Sequence, residues 1–214
     1  MSNIKVLTPR QINRRQRILS SAREMIADHG YDGMVMSQIA AAAGVSPTTL
    51  YNLFNTKDQL ILSSLQDFLL TNARNRFNSA GGPGWRYMLD TVIGGARLTA
   101  ASPAYSEAML VALQRSKSGD QLVRLLIEDG CQNFSESLSV MLNQNELRAD
   151  IDTNNLAVML IGSYWSSFFM WNKGSLRLAD LEKSVLTSFV AILLPHTKGL
   201  TRVALQKVLD QSLK

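Results

Sequence analysis

A chain with a single cysteine, Cys131, can form no internal disulfide, so its fold must hold by packing. That suits a reducing compartment, and a cytoplasmic location is expected. Long apolar runs are missing as well. None approaches the roughly 18 consecutive residues a membrane span needs, and the longest, such as 189–195, suit a buried helix. The first 17 residues are polar and basic, with no apolar stretch of the signal-peptide kind. Histidine is scarce: His29 and His196 are the only two, and neither stands at metal-ligand spacing with an acid. There is no glycine-rich phosphate loop, no Gly-x-Ser-x-Gly elbow and no Cys-x-x-Cys pair. No catalytic constellation is left, so an enzyme is not expected, nor a metal or other cofactor.

What is present is apolar and unevenly charged. Hydrophobic residues make up 46% of the 214, enough for a substantial core and far from a disordered composition. The length fits one large domain, or a small one joined to a medium one. Residues 1–57 hold seven basic side chains (Lys5, Arg10, Arg14, Arg15, Arg17, Arg23 and Lys57) against three acids, a net +4 of the chain's +5. A basic end on a nearly neutral body reads either as a polyanion-binding head or as a solvated helix face.

Helical periodicity dominates and no convincing strand pair appears. Ile18, Ala22, Met25 and Ile26 form an apolar stripe, and Gly30 stands where a glycine would end that helix. A short apolar stretch, 39–43, meets Gly44. Ser46 then caps a helix with Pro47 at its first position, running to about Asn55. A long helix follows over 58–78. The glycine-rich stretch 78–84 separates it from a body of helices at 85–101, 103–113, 120–142, 155–171, 180–194 and 200–213.

Residues 37–57 carry the functional signal. Ile39, Ala40 and Ala43 form one apolar face of a short helix, with alanines small enough for a second helix to cross closely. Gly44 permits a left-handed turn. Val45, Leu50 and Phe54 point inward, leaving Thr48, Thr49, Tyr51, Asn52 and Leu53 outside. Hydroxyls, an amide and methyl groups without an acid suit a helix end in a DNA major groove.

These residues resemble the TetR (tetracycline repressor-like) family of regulators. The matching signature is Gly30-Tyr31, Ile39-Ala40, Ala43-Gly44-Val45-Ser46, Thr49-Leu50-Tyr51, Phe54, Lys57 and Leu60. The resemblance covers roughly residues 10–65. It implies an all-α protein: an N-terminal three-helix helix-turn-helix DNA-binding domain (1–57, joined by the helix 58–78) and a C-terminal helical ligand-binding and dimerisation domain (58–214). By position, it implies that Ser46 caps the recognition helix and Thr48 faces bases or backbone. Thr49, Tyr51 and Lys57 meet phosphates, and Asn52 and Leu53 lie toward base edges. The chain departs from the family at Met34-Val35-Met36, where a hydroxyl cap is usual unless Ser37 replaces it, and at Leu53, where histidine is common.

One recognition helix covers few base pairs, so doubling on a two-fold axis is expected. Helices 155–171 and 180–194 are apolar around more of their circumference than one core face requires. They read as the homodimer surface or, failing that, as a monomer core. Trp85, Met88, Tyr105, Met109, Phe134 and Met141, with Trp165 and Phe168, are large or soft side chains that either line an apolar effector pocket or fill an ordinary core. Arg97 and Glu128 read as buried partners of a ligand or as surface charges. Cys131 reads as an inert buried thiol rather than a redox sensor. The function implied is a ligand-responsive regulator of operator DNA with no membrane partner, and repression rests on the family analogy.

Overall fold

The computed structural model describes residues 8–67, 81–116 and 120–213. Its described residues are helical and contain no strand, only an isolated antiparallel bridge between Leu147 and Thr197. The all-α class expected from the periodicity is the class observed. Among the described residues no helix is long and apolar enough to cross a membrane.

The chain divides into two compact units. The first joins residues 1–68 with residues 102–122. Its α1, Pro9–Gly33, opens with a capping box: Thr8 Oγ1 accepts from Gln11 N at 3.3 Å and Gln11 Oε1 accepts from Thr8 N at 2.8 Å. Ile18, Leu19, Ala22 and Ile26 are its buried stripe, and Met25 of the expected set is half-buried. Gly30 does interrupt the helix, with φ +66°, but one further turn follows before the cap at Met34. α2 is Met36–Ala42 and α3 is Pro47–Phe54. α2 starts earlier than its apolar stretch suggested because Met36 is buried in the same core as Ile39 and Ala40.

α4 covers residues 57–67 in the described part, and Leu60, Ile61, Leu62 and Leu65 are its buried face. The remainder of the expected helix 58–78 and the start of the stretch 78–84 lie outside the described residues. α5 is Trp85–Ala101 and belongs to the second unit. α6, Pro103–Arg115, belongs to the first and packs along α1. A buried hydrogen bond joins Ser64 Oγ of α4 to Tyr105 Oη of α6 at 3.1 Å. Arg23 of α1 pairs with Asp67 of α4 at 3.3 Å.

The second unit, residues 69–101 and 123–214, is built around α9, Leu181–Leu193. Against it pack α5, α8 (Thr153–Asn172) and α10 (Gly199–Ser212). α7, Gln121–Asn143, reaches α9 through Phe134, whose ring meets Phe189 edge-on at 5.7 Å. Asp152 caps α8 by accepting from Asn154 N and Asn155 N. Pro195 ends α9 as its position suggested, in a short 3₁₀ turn.

Candidate nucleic-acid interface

The helix-turn-helix is assembled by the devices its sequence advertises. Gly44, at φ +64°, makes the left-handed turn, and Val45 N donates back to Ala40 O at 2.9 Å. Ile39, Ala40 and Ala43 are all buried where α2 meets its neighbours. Ser46 Oγ accepts from Thr49 N at 3.1 Å, with Pro47 in the first turn of α3. Leu50 and Phe54 are buried, and Val45 is half-buried. Asn55 ends α3 at φ +46°, a conformation asparagine tolerates.

The outer side of α3 is open. Tyr51 is 48% exposed and Leu53 40%, Thr48 and Asn52 are exposed, and Thr49 is half-buried under the Ser46 cap. Two large side chains, Tyr51 and Leu53, are thus left in water on this helix. No acid occurs between Gly33 and Lys57, so no carboxylate opposes a polyanion there. Ser37 is exposed in the first turn of α2, whose N-cap Val35 offers no side-chain hydrogen bond. The first N–H groups of α2 are thus uncapped by any side chain at that position, and they belong to a helix terminus that favours anions.

The basic residues of α1 are not one solvated face. Arg17 Nε donates to Ala43 O at 3.3 Å and so ties α1 to the turn. The Arg15 guanidinium lies 4.9 Å from the centroid of the Phe54 ring; burial pulls its pKa down, and Asp67 opposes the shift. Arg14 is half-buried, and its Nε is buried without a hydrogen-bond partner. Arg10 is exposed.

Lys57 stands in company that its sequence position did not reveal. Its Nζ sits 4.2 Å from the centroid of the Tyr31 ring, and the Arg115 guanidinium approaches the same ring at 5.3 Å. Tyr31 Oη donates to Asp58 Oδ1 at 2.5 Å. Burial holds the Lys57 ammonium below the ordinary lysine range; Asp32 and Asp58 counteract it, and the positive charge of Arg115 adds to it. The Tyr31 phenol is pushed up, first by burial and then by its bond to Asp58. Gly30-Tyr31 was a visible motif, but Arg115 carries no local signal. Only the packing of α6 on α1 brings it here.

The expected effector residues belong to both units. Tyr105 (5% exposed) and Met109 lie in the first unit, whereas Trp85, Met88, Phe134, Trp165 and Phe168 lie in the second. Met88, Phe134 and Phe168 are buried; Trp85 is half-buried with the Arg86 guanidinium 4.4 Å from its ring. Trp165, half-buried, lines an open depression of about 480 Å³ together with Gly162, Phe169, Met170 and Lys173. Arg97 and Glu128 are surface charges, paired with Glu182 and Arg124 respectively. Burial raises the Cys131 thiol pKa. Among the described residues no three His, Cys, Asp or Glu gather as metal ligands.

A left-handed turn between two short helices, with the second exposed and free of acids, defines a helix-turn-helix. Residues 18–63 match the model of the bacterial regulatory proteins of the tetR family. It is 36% identical over 56 residues to the transcriptional regulator BetI of Rhizobium meliloti (strain 1021), covering 26% of this chain and 28% of that one. It is 36% identical over 52 residues to the transcriptional repressor AcnR of Corynebacterium efficiens, covering 24% of this chain and 28% of that one. The chain therefore spans less than a third of the length of either relative. In fold it is similar to the transcriptional regulator FadR of Bacillus subtilis, solved in complex with stearoyl-CoA. That likeness has a TM-score of 0.63 and 19% identity, over 79% of this chain and 94% of that one.

Proposed function

We propose that the protein is a cytoplasmic, ligand-responsive transcriptional repressor. It binds palindromic operator DNA as a homodimer and is released by a small, largely apolar or aromatic effector. The observation that carries this reading is the outer side of α3: Thr48, Tyr51, Asn52 and Leu53 exposed on a helix capped by Ser46. In this reading Ser46 orders the helix start and Thr48 meets bases or backbone. Thr49, Tyr51 and Lys57 contact phosphates, Asn52 reads a base edge, and Leu53 packs on a thymine methyl. Ser37 lies at the uncapped start of α2, where N–H groups welcome a phosphate. Residues 1–57 serve as the DNA-binding domain and 58–214 as the ligand-binding and dimerisation domain.

Support for the dimer comes from α8, which leaves Val158, Met159 and Met170 about half exposed. α9, the second helix of the proposed surface, exposes Lys183 and Ala191, so α8 supplies more of the apolar area. The similarity to FadR with its stearoyl-CoA supports an apolar effector, and the similarity to AcnR supports repression. Trp85, Met88, Tyr105, Met109, Phe134, Trp165 and Phe168 are the residues proposed to meet the effector.

Selection of bound sites from a random duplex pool tests the reading. A palindrome should emerge with half-sites about 34 Å apart or a multiple of that. Its affinity should fall steeply as salt rises. An apolar or aromatic effector should then weaken binding by about 5–150-fold, the range of ordinary allosteric coupling. A pool that stays unenriched, with no salt-dependent binding, would refute it.

A further inference from the structure

We propose that Tyr31 gathers Lys57 and Arg115 into a two-cation seat for one backbone phosphate of the bound duplex, so that α6 contributes a charge to DNA binding. The inference rests on the regulator reading above and adds a site to it. Three elements of the first unit meet at one phenol ring. Gly30, by leaving the helical conformation, turns Tyr31 away from the line of α1. The ring then faces the first turn of α4, where Lys57 Nζ lies 4.2 Å from its centroid, and the end of α6, where the Arg115 guanidinium lies 5.3 Å away. Both distances are within cation–π range. The Tyr31 hydroxyl donates to Asp58 at 2.5 Å, which engages that carboxylate, and its oxygen also interacts with Arg115.

Two like charges converging on one ring repel each other, and the depressed ammonium of Lys57 registers that repulsion beside its burial. A phosphodiester placed against both relieves it, and it meets a planar guanidinium fork and a point charge together. Asp32 and Asp58 also face Lys57, so without a ligand the cluster is close to neutral and compact. Arg115 is exposed and is the last residue of α6, whose C-terminal dipole favours a cation. Tyr31 is thus a positioning residue, and Lys57 and Arg115 are the contacts.

The test uses the full chain and the duplex recovered by the selection above, with affinity measured across a salt series. Each phosphate contact contributes about 0.9 to the magnitude of the slope of log affinity against log salt. The seat neutralises one phosphate in each protomer of the homodimer, so the double variant should lower it by about 1.8 in all, and K57A and R115A should each lower it by part of that. Y31L should approach the double variant, whereas Y31F keeps the ring and should keep the wild-type slope. If Y31L fails to fold by circular dichroism, the lysine and arginine variants decide alone. A normal slope for R115A beside a reduced one for K57A overturns the seat and leaves the regulator standing. So does Y31F falling as far as Y31L, since the hydroxyl and not the ring would then matter. An unchanged K57A slope overturns it as well. A wild-type protein without salt-dependent binding sinks both readings.

Discussion

Ser46 and Cys131 illustrate what single side chains do in this molecule. Ser46 closes the otherwise unsatisfied start of α3, so Ser46→Ala should cost about 1 kcal/mol, a loss typical of a helix cap. Thermal denaturation should register a fall of roughly 2–4 °C in Tm, and operator affinity should drop too if α3 carries the contacts proposed for it. A variant with full stability and reduced affinity would assign the hydroxyl directly to DNA instead. Cys131 is partly covered, and burial raises its thiol pKa, so the thiolate fraction at neutral pH is below that of a free cysteine. Iodoacetamide at about pH 8 should label it more slowly than it labels glutathione, and unfolding the chain should remove the difference. Equal rates in the native protein would make Cys131 a reactive thiol.

Pairs of helices depend on residues too small to be noticed in a periodicity plot. Gly95 of α5 is the clearest: a Cβ there would stand 2.0 Å from Tyr164 Oη and 3.0 Å from its ring carbon Cζ. The Tyr164 ring is wedged between Phe168, at 4.6 Å between centroids, and Trp165, at 5.5 Å, so moving it aside disturbs both contacts. Gly95→Ala should therefore destabilise the second unit by about 1–3 kcal/mol, the usual cost of overpacking. Tyr164→Phe, which removes the offending oxygen, should recover part of the lost Tm in the double variant. Additive losses would show that the two residues do not compete for space. Helix existence was legible at this scale, since apolar stripes, Ser46-Pro47, Pro103 and Pro195 all sit where the helices begin or stop. Helix ends were less so. The added turn of α1 beyond Gly30 and the early start of α2 at Met36 follow from burial of Met34 and Met36, which no capping residue announces.

For the molecule as a whole, the decisive quantity is how many copies act together. α8 is apolar on its inner side, through Leu156, Leu160 and Phe168, and on its outer side, through Val158, Met159 and Met170. A lone soluble helix gains nothing from the second set, whereas a two-fold partner would bury it. Replacing both Met159 and Met170 with glutamate would place unpaired charges in that surface at a cost on the order of several kcal/mol. Analytical ultracentrifugation should then report a monomer that keeps its helical circular dichroism and binds the selected duplex far more weakly. A persistent dimer would move the interface elsewhere, with the exposed Leu200 and Val203 of α10 the next surface to test.

The all-α class, the helix-turn-helix and its outward side chains were readable along the chain because they arise from contacts a few residues apart. A glycine turn, a serine cap and an apolar i, i+4 stripe each declare themselves within one or two turns of helix. The tertiary structure alone decided what depends on distant segments meeting. It put α6 against α1 and so placed Arg115 beside Tyr31 and Lys57, and it set Arg97 against Glu182 on the surface. It also assigned Tyr105 and Met109 to the first unit and Met88, Phe134 and Phe168 to the second. Local chemistry sets which face of a helix is apolar; only the closing of long loops sets which other face it meets.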